Sequence, residues 1–370
     1  MDVNITIIGA GVIGLSIARE LSSEYSDVFM IEKNKSFGQE ISSRNSEVIH
    51  SGIYYPKNSL KSILCVEGKE LLYKYCKEKK INHKKIGKLI IATNSEEDKQ
   101  LQLLLKNAKN NGVHDGEYLS YEEIKKIEPN IKVFSALFYP STGIIDSYGL
   151  LKQLEADAKN NGANAVYNTE VIEIKKLTKG YLVSVKDNSS KFSFTTKVLI
   201  NAAGLFSDKI SFLAGISDPL YNLYFWKGEY FSVINGKNKY ISHLIYPVPY
   251  KNNIGLGIHA TLDVNNRMKL GPNAIFLPNK IIDYKVNENR KFDFFNSVRH
   301  FLPFIELDDL QPEQCGIRPK LQKPGDAFRD FIIKNEAERG FENFINLIGI
   351  ESPGLTSCLS IAKMVKNILV

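Results

Sequence analysis

The opening of the chain moves through three hydrophobic patterns in order. Val3 to Ile8 is a short, mostly apolar, β-branched run, as a strand buried on both faces requires. Leu15, Ile17, Ala18 and Leu21 then recur at helical intervals, and Val28 to Ile31 is a second apolar run. Strand, helix and strand in that order predict a βαβ unit. Further on, Leu60, Ile63, Leu64, Leu71, Leu72 and Tyr75 mark an amphipathic helix from Ser59 to about Lys79, and KLIIAT (88–93) reads as a strand. Ser95 with Asp98 resembles a capping box for a helix through Ala108, and Ser120 with Glu123 opens a short helix that stops before Pro129. GLLKQLEADAKNNG is a helix ending at Gly162. A β-meander then leads to a buried strand, Val198–Asn201. Ile216 to Gln314 is aromatic-rich with strand-like pieces, including GLGIHAT (255–261), and little helix before Asn296. The chain closes on strand, Pro-Gly turn and helix. Units of βα type at both ends flank antiparallel material, which predicts an α/β nucleotide domain that the chain leaves and re-enters.

Three glycines sharpen the first unit. Gly9, Gly11 and Gly14 stand at GxGxxG spacing between the first strand and helix, and Glu32 ends the second strand 18 positions after Gly14. The first glycine permits the tight turn, the second lets a pyrophosphate approach the backbone, and the third lets helix and strand pack closely. The helix N-terminus offers free N–H groups to that pyrophosphate, and Glu32 stands where a carboxylate accepts ribose hydroxyls. A lone glycine motif is weak evidence; with strand, helix, strand and acid in register it is a dinucleotide site. An acid at that position fits NAD or FAD and disfavours a 2′-phosphate.

Composition narrows the class. The 370 residues are 43% hydrophobic and 24% charged, as in an ordinary soluble globular protein, and suffice for two domains or one with an insertion. No apolar stretch approaches a membrane span, and no signal segment precedes the first strand. Cys65, Cys76, Cys315 and Cys358 show neither CxxC nor metal spacing, which predicts reduced thiols, a cytoplasmic protein and no metal. The net charge of +7 favours anionic substrates, whereas the densest basic run (77–85) reads as a solvated face and not a nucleic-acid-binding tail.

The GAGVIG unit with Glu32, RNSEVIHSGIYY (44–55), LINAAGLFSD (199–208), GIRP (316–319) and GIESPGLTSCLSIA (349–362) together resemble the D-amino-acid-oxidase-like FAD superfamily. WKGEYF (226–231), HLIYPVP (243–249), GLGIHATLD (255–263), LGPNA (270–274) and LQPEQCGIRPKL (310–321) extend the resemblance, over the whole chain, to its L-2-hydroxyglutarate dehydrogenase branch. The resemblance implies FAD, in a Rossmann-like domain of residues 1–80, 140–215 and 316–370. A mainly antiparallel substrate domain of residues 81–139 and 216–315 is inserted into it. It implies hydride transfer from a 2-hydroxy dicarboxylate to the flavin. Electrons pass on to a membrane quinone or another acceptor, the protein being cytoplasmic or peripheral to the inner membrane. It also assigns cofactor contacts to Gly9, Gly11, Gly14, Glu32, Lys33, Arg44, Asn45, Ser46, His50, Val171, Ala203, Gly204, Gly316, Pro353, Gly354, Leu355 and Thr356. Asp208 reads as a cap on the helix that follows it.

Oxidising a secondary alcohol requires a base for the hydroxyl proton, and histidine titrates near neutrality. His83, His114 and His300 lie in lysine-rich or polar segments and read as surface residues, and His243 reads as structural. His259 is the preferred base, on a strand whose alternation turns it away from Ile258; the plainer reading is a hydrogen-bonded strand histidine. His50, just before the Ser51-Gly52 turn, stands as base, flavin anchor or hydrogen-bonding neighbour, because related amine dehydrogenases attach FAD through a histidine in a comparable loop. Arg318 is the first choice for a carboxylate, since its planar fork binds bidentately; the alternative is a surface ion pair. Lys227 stands where many family members carry arginine, and Tyr54, Tyr55 and Tyr230 offer hydroxyls or packing. Cys315 is not expected to carry the flavin. Two other readings compete: an amine oxidase of the same fold acting on glycine or sarcosine, and a flavoprotein subunit that oxidises no small acid.

Overall fold

A computed structural model describes residues 1–249 and 257–369. Its first layer is a sheet whose parallel centre runs Phe344–Ile348, Lys191–Asn201, Val3–Ile8, Val28–Ile31 and Asn164–Val166. The opening strand pairs with Lys191–Asn201 on one side (Ile8 opposite Asn201) and with Val28–Ile31 on the other (Ile8 opposite Ile31). These strands give Ile5, Ile7 and Ile200 to one core and Ile8, Ile31 and Leu199 to another, so both faces are covered, which explains why the sequence shows apolar runs there and not alternation. Lys191–Asn201 is long enough to serve two roles. Its first half pairs antiparallel with Tyr181–Lys186 in the meander, and its end lies parallel to the opening strand.

Helices Val12–Leu21, Leu60–Lys79 and Gly354–Leu369 pack together on one face of this sheet. Leu15, Ile17, Leu64, Leu72, Cys358, Ile361 and Val365 belong to their common core. The Leu60–Lys79 helix begins as the pattern predicts, with the Ser59 side chain accepting from the Ser62 N–H, and ends on Lys80 in the left-handed region at φ 56°. The next helix, Ser95–Asn110, differs from its expectation. Asn94 is its N-cap and takes the N–H groups of Glu96 and Glu97, so Ser95 is already inside the helix. The Ser120–Glu123 capping box is present.

The second large sheet contains Lys88–Ala92, Glu117–Ser120, Ser135–Tyr139, Tyr224–Val233, Leu244–Pro247, Ala260–Leu262, Met268–Leu270, Ile275–Leu277 and Leu310–Lys320. It is antiparallel except where Leu244–Pro247 runs parallel to Lys88–Ala92. Leu310–Lys320 pairs along nearly its whole length with Tyr224–Val233, so it crosses the domain boundary expected at 316 and stays in this sheet to Lys320. The predicted GLGIHAT strand is shorter than expected. Gly255 and Leu256 lie outside the described residues, Gly257 has a φ of +76°, and the strand starts at Ala260. A small three-stranded sheet of Val48–Ile49, Gly143–Ile145 and His83–Lys84 joins the two layers.

Candidate active site

A cavity of about 1060 Å³ runs between the two sheets, from Gly9, Gly11 and Glu32 at one end to His50, His259 and Arg318 at the other. That size suits a dinucleotide with room for a small substrate beside it. The glycine end is built by close approach. Gly9 has a φ of +104°, and a Cβ on it would lie 2.6 Å from the Ala202 carbonyl oxygen. A Cβ on Gly14 would sit 1.9 Å from the Gly9 carbonyl oxygen, so only glycine lets the helix seat against the turn. Gly14 therefore shapes the cavity without lining it. The buried Glu32 carboxylate accepts from the Ala10 N–H and the Asn34 N–H, both at 2.9 Å, which locks the acid against the turn. Each oxygen keeps a second lone pair for a hydroxyl. The Val12 N–H is taken by Ser42 Oγ at 2.9 Å, a contact invisible in the motif.

Along its length the cavity is lined by Lys33, Arg44, Asn45, Ser46, Val171, Ala203, Gly204, Gly316, Pro353, Gly354 and Leu355. The Lys33 ammonium lies over the Phe206 ring, and the Arg44 guanidinium over the Tyr284 ring. Gly316 sits where a Cβ would meet the Arg44 carbonyl oxygen at 2.2 Å, which holds the strand Leu310–Lys320 against the 44–50 loop. Thr356 lies behind the wall. Its Oγ1 accepts the His50 N–H at 3.0 Å and donates to the Val48 carbonyl, tying the last helix to the His50 segment. Asp208 is the second residue of Ser207–Leu213, whose N-cap position is Phe206; its carboxylate accepts the Lys209 N–H at 2.8 Å in the first turn and also binds the Leu223 N–H and the Lys280 ammonium.

The far end gathers the titratable groups. His259 stacks on Tyr246 at 3.7 Å between ring centroids and 17° between planes. Its Nδ1 lies 3.1 Å from the Gly257 carbonyl oxygen. A carbonyl only accepts, so Nδ1 carries the proton and Nε2 presents a lone pair. Burial, outweighing the Gly257 bond, and then the charges of Lys88 and Arg318 hold the imidazole down to about 3. Ile258 and His259 both reach the cavity, since neither yet belongs to a strand. His50 is held at about 3 by burial, Lys88 and His259; its Nδ1 has no partner among the described residues, and its Nε2 is 3.5 Å from Ser352 Oγ. Arg318 Nη2 donates to the Asn273 carbonyl at 2.7 Å and lies where a Cβ on Gly228 would be 2.9 Å away. Tyr230 meets Ser46 Oγ at 2.8 Å, and Tyr54 and Tyr55 line the wall.

Lys227 does not reach this end. Strand alternation puts Gly228 on the cavity side and Lys227 on the other. There its ammonium pairs with Glu229 at 3.6 Å and Asp283 at 3.5 Å and donates to the Lys285 carbonyl. Cys315 shares that face, with its thiol near the Asp283 and Lys285 carbonyls. His243 Nδ1 is bound to Glu128 at 2.7 Å, the His83 ring to the Ile81 carbonyl, and His114 and His300 are exposed.

Several groups at this end carry no sequence signal of the usual kind. Lys88 is fully buried beneath the wall, its ammonium 4.6 Å from the Tyr54 ring and 4.9 Å from the Tyr246 ring, with no hydrogen-bond partner among the described residues. Burial, against a small opposing effect of Cys65, brings it down to about 7. Lys61 and Glu351 form a mostly buried pair at 2.9 Å, and both line the cavity, as does Lys320. The lysine before LIIAT and the x-Arg-x-Lys alternation at 317–320 are the features that mark two of them in the sequence.

The family model described as FAD dependent oxidoreductase matches residues 4–368. A relative from Arabidopsis thaliana named "L-2-hydroxyglutarate dehydrogenase, mitochondrial" is 37% identical, covering 99% of this chain and 83% of its own length. A glycerol 3-phosphate dehydrogenase from Caloramator mitchellensis is 31% identical, over 99% of this chain and 73% of its own. Among solved structures, the FAD-bound L-alpha-glycerophosphate oxidase of Mycoplasma pneumoniae superposes with a TM-score of 0.89 at 27% identity, covering 99% of this chain and 94% of that one. No helix among the described residues is long and apolar enough to cross a membrane, and no group of three or more His, Cys, Asp or Glu there is placed to hold a metal.

Proposed function

The chain belongs to the FAD dependent oxidoreductase family, and from that premise we propose that it oxidises L-2-hydroxyglutarate to 2-oxoglutarate. Its cofactor is FAD and its reaction is an oxidation at a CH–OH carbon. The residues present fit the cofactor: the turn admits no Cβ at Gly9 or Gly14, Glu32 is fixed beside it, and Arg44 Nε and His50 Nδ1 are buried along the cavity without partners among the described residues. Gly9, Gly11 and Glu32 would hold the adenylate end. The 44–50 loop, Gly316 and the start of the Gly354–Leu369 helix would hold the ring end. When bound, FAD supplies the two-electron acceptor that takes hydride from the carbinol carbon.

The chain's own residues do the rest. Arg318 holds a carboxylate with its planar fork, orienting the carbinol carbon. His259, neutral across the working range, takes the hydroxyl proton at Nε2, and the stacked Tyr246 ring fixes the imidazole plane. His50 and Tyr230 line the same space, and Tyr54 and Tyr55 close it. The observation that carries this reading is the convergence of an imidazole, whose Nε2 has no hydrogen-bond partner among the described residues, and an arginine on one end of a dinucleotide-sized cavity. The acceptor that reoxidises the enzyme is a quinone or another small oxidant in this proposal. A cytoplasmic or membrane-peripheral location belongs to the proposal too. The Arabidopsis relative's name places that protein in mitochondria.

A second reading, oxidation of a glycerol phosphate, draws on the two relatives named for that substrate. The amine-oxidase alternative has less support, because glycine oxidase from Geobacillus kaustophilus, at 19% identity, shares the fold alone. Anaerobic addition of L-2-hydroxyglutarate, D-2-hydroxyglutarate, sn-glycerol 3-phosphate and glycine to the holoenzyme decides among them. Bleaching of the flavin band by the L-2-hydroxy acid is expected. Bleaching by glycerol 3-phosphate or glycine without it overturns the proposal.

A further inference from the structure

A five-carbon dicarboxylate has two anionic ends, and the preceding reading gives a partner to only one. On the strand Leu310–Lys320, residues 316, 318 and 320 alternate onto one face, and Gly316, Arg318 and Lys320 all line the cavity. Alternate residues on a strand stand about 7 Å apart, of the order of the span between the carboxylates of an extended diacid. Beside Lys320 stands the Lys61–Glu351 pair, 2.9 Å between charges, with side chains 5% and 8% exposed. Of the groups that line this wall, Arg318, Lys320 and Lys61 against Glu351 leave two surplus positive charges, matching a dianion; Lys88 lies beneath the wall and does not line it.

Among the described residues nothing further relieves the surplus. Among the described residues Lys320 joins no ion pair, and its ammonium lies 5.4 Å from the Trp226 ring. Glu351 favours its charged form, yet burial and the charges of Arg318 and Lys61 together hold the amine below its ordinary range. Burial opposes ionisation of Glu351, but Lys61 and Lys320 outweigh it and keep the carboxyl below its usual range. A second carboxylate entering here gains partners already in place and relieves the repulsion between the cations.

We propose that Lys320, backed by the Lys61–Glu351 pair, is the subsite for the distal carboxylate and makes the enzyme selective for 2-hydroxy diacids over 2-hydroxy monoacids. This rests on the hydroxy-acid reading given above. Lys61 is largely neutralised by Glu351, so Lys320 supplies the working charge, while Glu351 limits the surplus to two.

The test compares the holoenzyme with its Lys320→Met, Lys320→Arg and Lys320→Gln/Glu351→Gln variants. One readout is the ratio of kcat/KM for L-2-hydroxyglutarate to that for L-2-hydroxybutyrate. The other is the ratio of glutarate to butyrate affinity, read from perturbation of the flavin spectrum without turnover. Lys320→Met should lower both ratios about 10- to 100-fold, as loss of a hydrogen bond to a charged group does. Lys320→Arg should keep them, and the double variant, with the surplus of two restored, should recover most of the loss. Unchanged ratios in Lys320→Met, or no recovery in the double variant, overturn the proposal. If L-2-hydroxyglutarate fails to reduce the wild-type flavin, the hydroxy-acid reading fails, and the glutarate-to-butyrate affinity ratio still decides the subsite.

Discussion

Replacing Lys88 by methionine should make the protein more stable at pH 6, although the change removes a charged residue from beside the active site. Lys88 is fully buried, with two tyrosine rings as its neighbours and no hydrogen-bond partner among the described residues. Its amine falls from 10.5 to about 7, chiefly through burial. At about 1.4 kcal/mol per pH unit, holding it charged in place costs about 5 kcal/mol. Methionine has nearly the same length and no charge, so the gain should be several kcal/mol, up to about 5. The sign with pH follows from linkage. Below about 7 both folded and unfolded chains carry the proton and the cost is present in full. Between about 7 and 10.5 the unfolded chain holds a proton that the folded one has released, so wild-type stability rises with pH through that window. The advantage of Lys88→Met should therefore shrink from pH 7 upward. Urea unfolding of both holoenzymes at pH 6, 8 and 9.5 measures this. A variant less stable than wild type at pH 6, or an advantage that does not change with pH, would refute the reasoning.

Three further outcomes follow from the same geometry. Gly14→Ala should fold its second sheet but lose FAD about tenfold or more in affinity, because the Cβ 1.9 Å from the Gly9 oxygen forces the turn open; normal flavin content in the purified variant would contradict this. Arg318→Ala should raise KM for L-2-hydroxyglutarate about 10- to 100-fold with FAD retained, whereas an unchanged KM would remove the residue from substrate binding. His259→Ala should keep its flavin and lower the rate of flavin reduction by about 10²- to 10⁴-fold; full turnover in stopped-flow would exclude it as the base.

The nucleotide half of the fold was readable because each of its elements is local. The buried strands, the three glycines and the closing acid lie within one short stretch, and their spacing states the geometry directly. The other half depends on pairings far apart in sequence. Nothing local shows that Leu310–Lys320 pairs with Tyr224–Val233 and remains in the second sheet, so a boundary drawn at 316 cuts a continuous strand. Lys227 illustrates the same limit. Its type suited a carboxylate, but whether it or Gly228 faces the cavity is a question of which face the sheet turns inward. His259 drew attention as a histidine in a strand-like run, whereas the stacking on Tyr246 and the bond to Gly257 arise only in three dimensions. A lysine at the edge of an apolar run usually points to water, so nothing in the sequence signals that Lys88 is buried.

The order of these segments along the chain bears on when the enzyme can first hold its cofactor. The cavity wall runs from Ile8 to Leu355, the Phe344–Ile348 strand lies between Lys191–Asn201 and Ile332–Asn335, and the Gly354–Leu369 helix packs on Val12–Leu21 and Leu60–Lys79. The glycine turn is made long before the 316–355 part of the surrounding wall, which brings Gly316, Arg318, Lys320 and Glu351 to Leu355. A chain that stops before these segments keeps the glycine turn but lacks the far wall and the helix packed on Val12–Leu21.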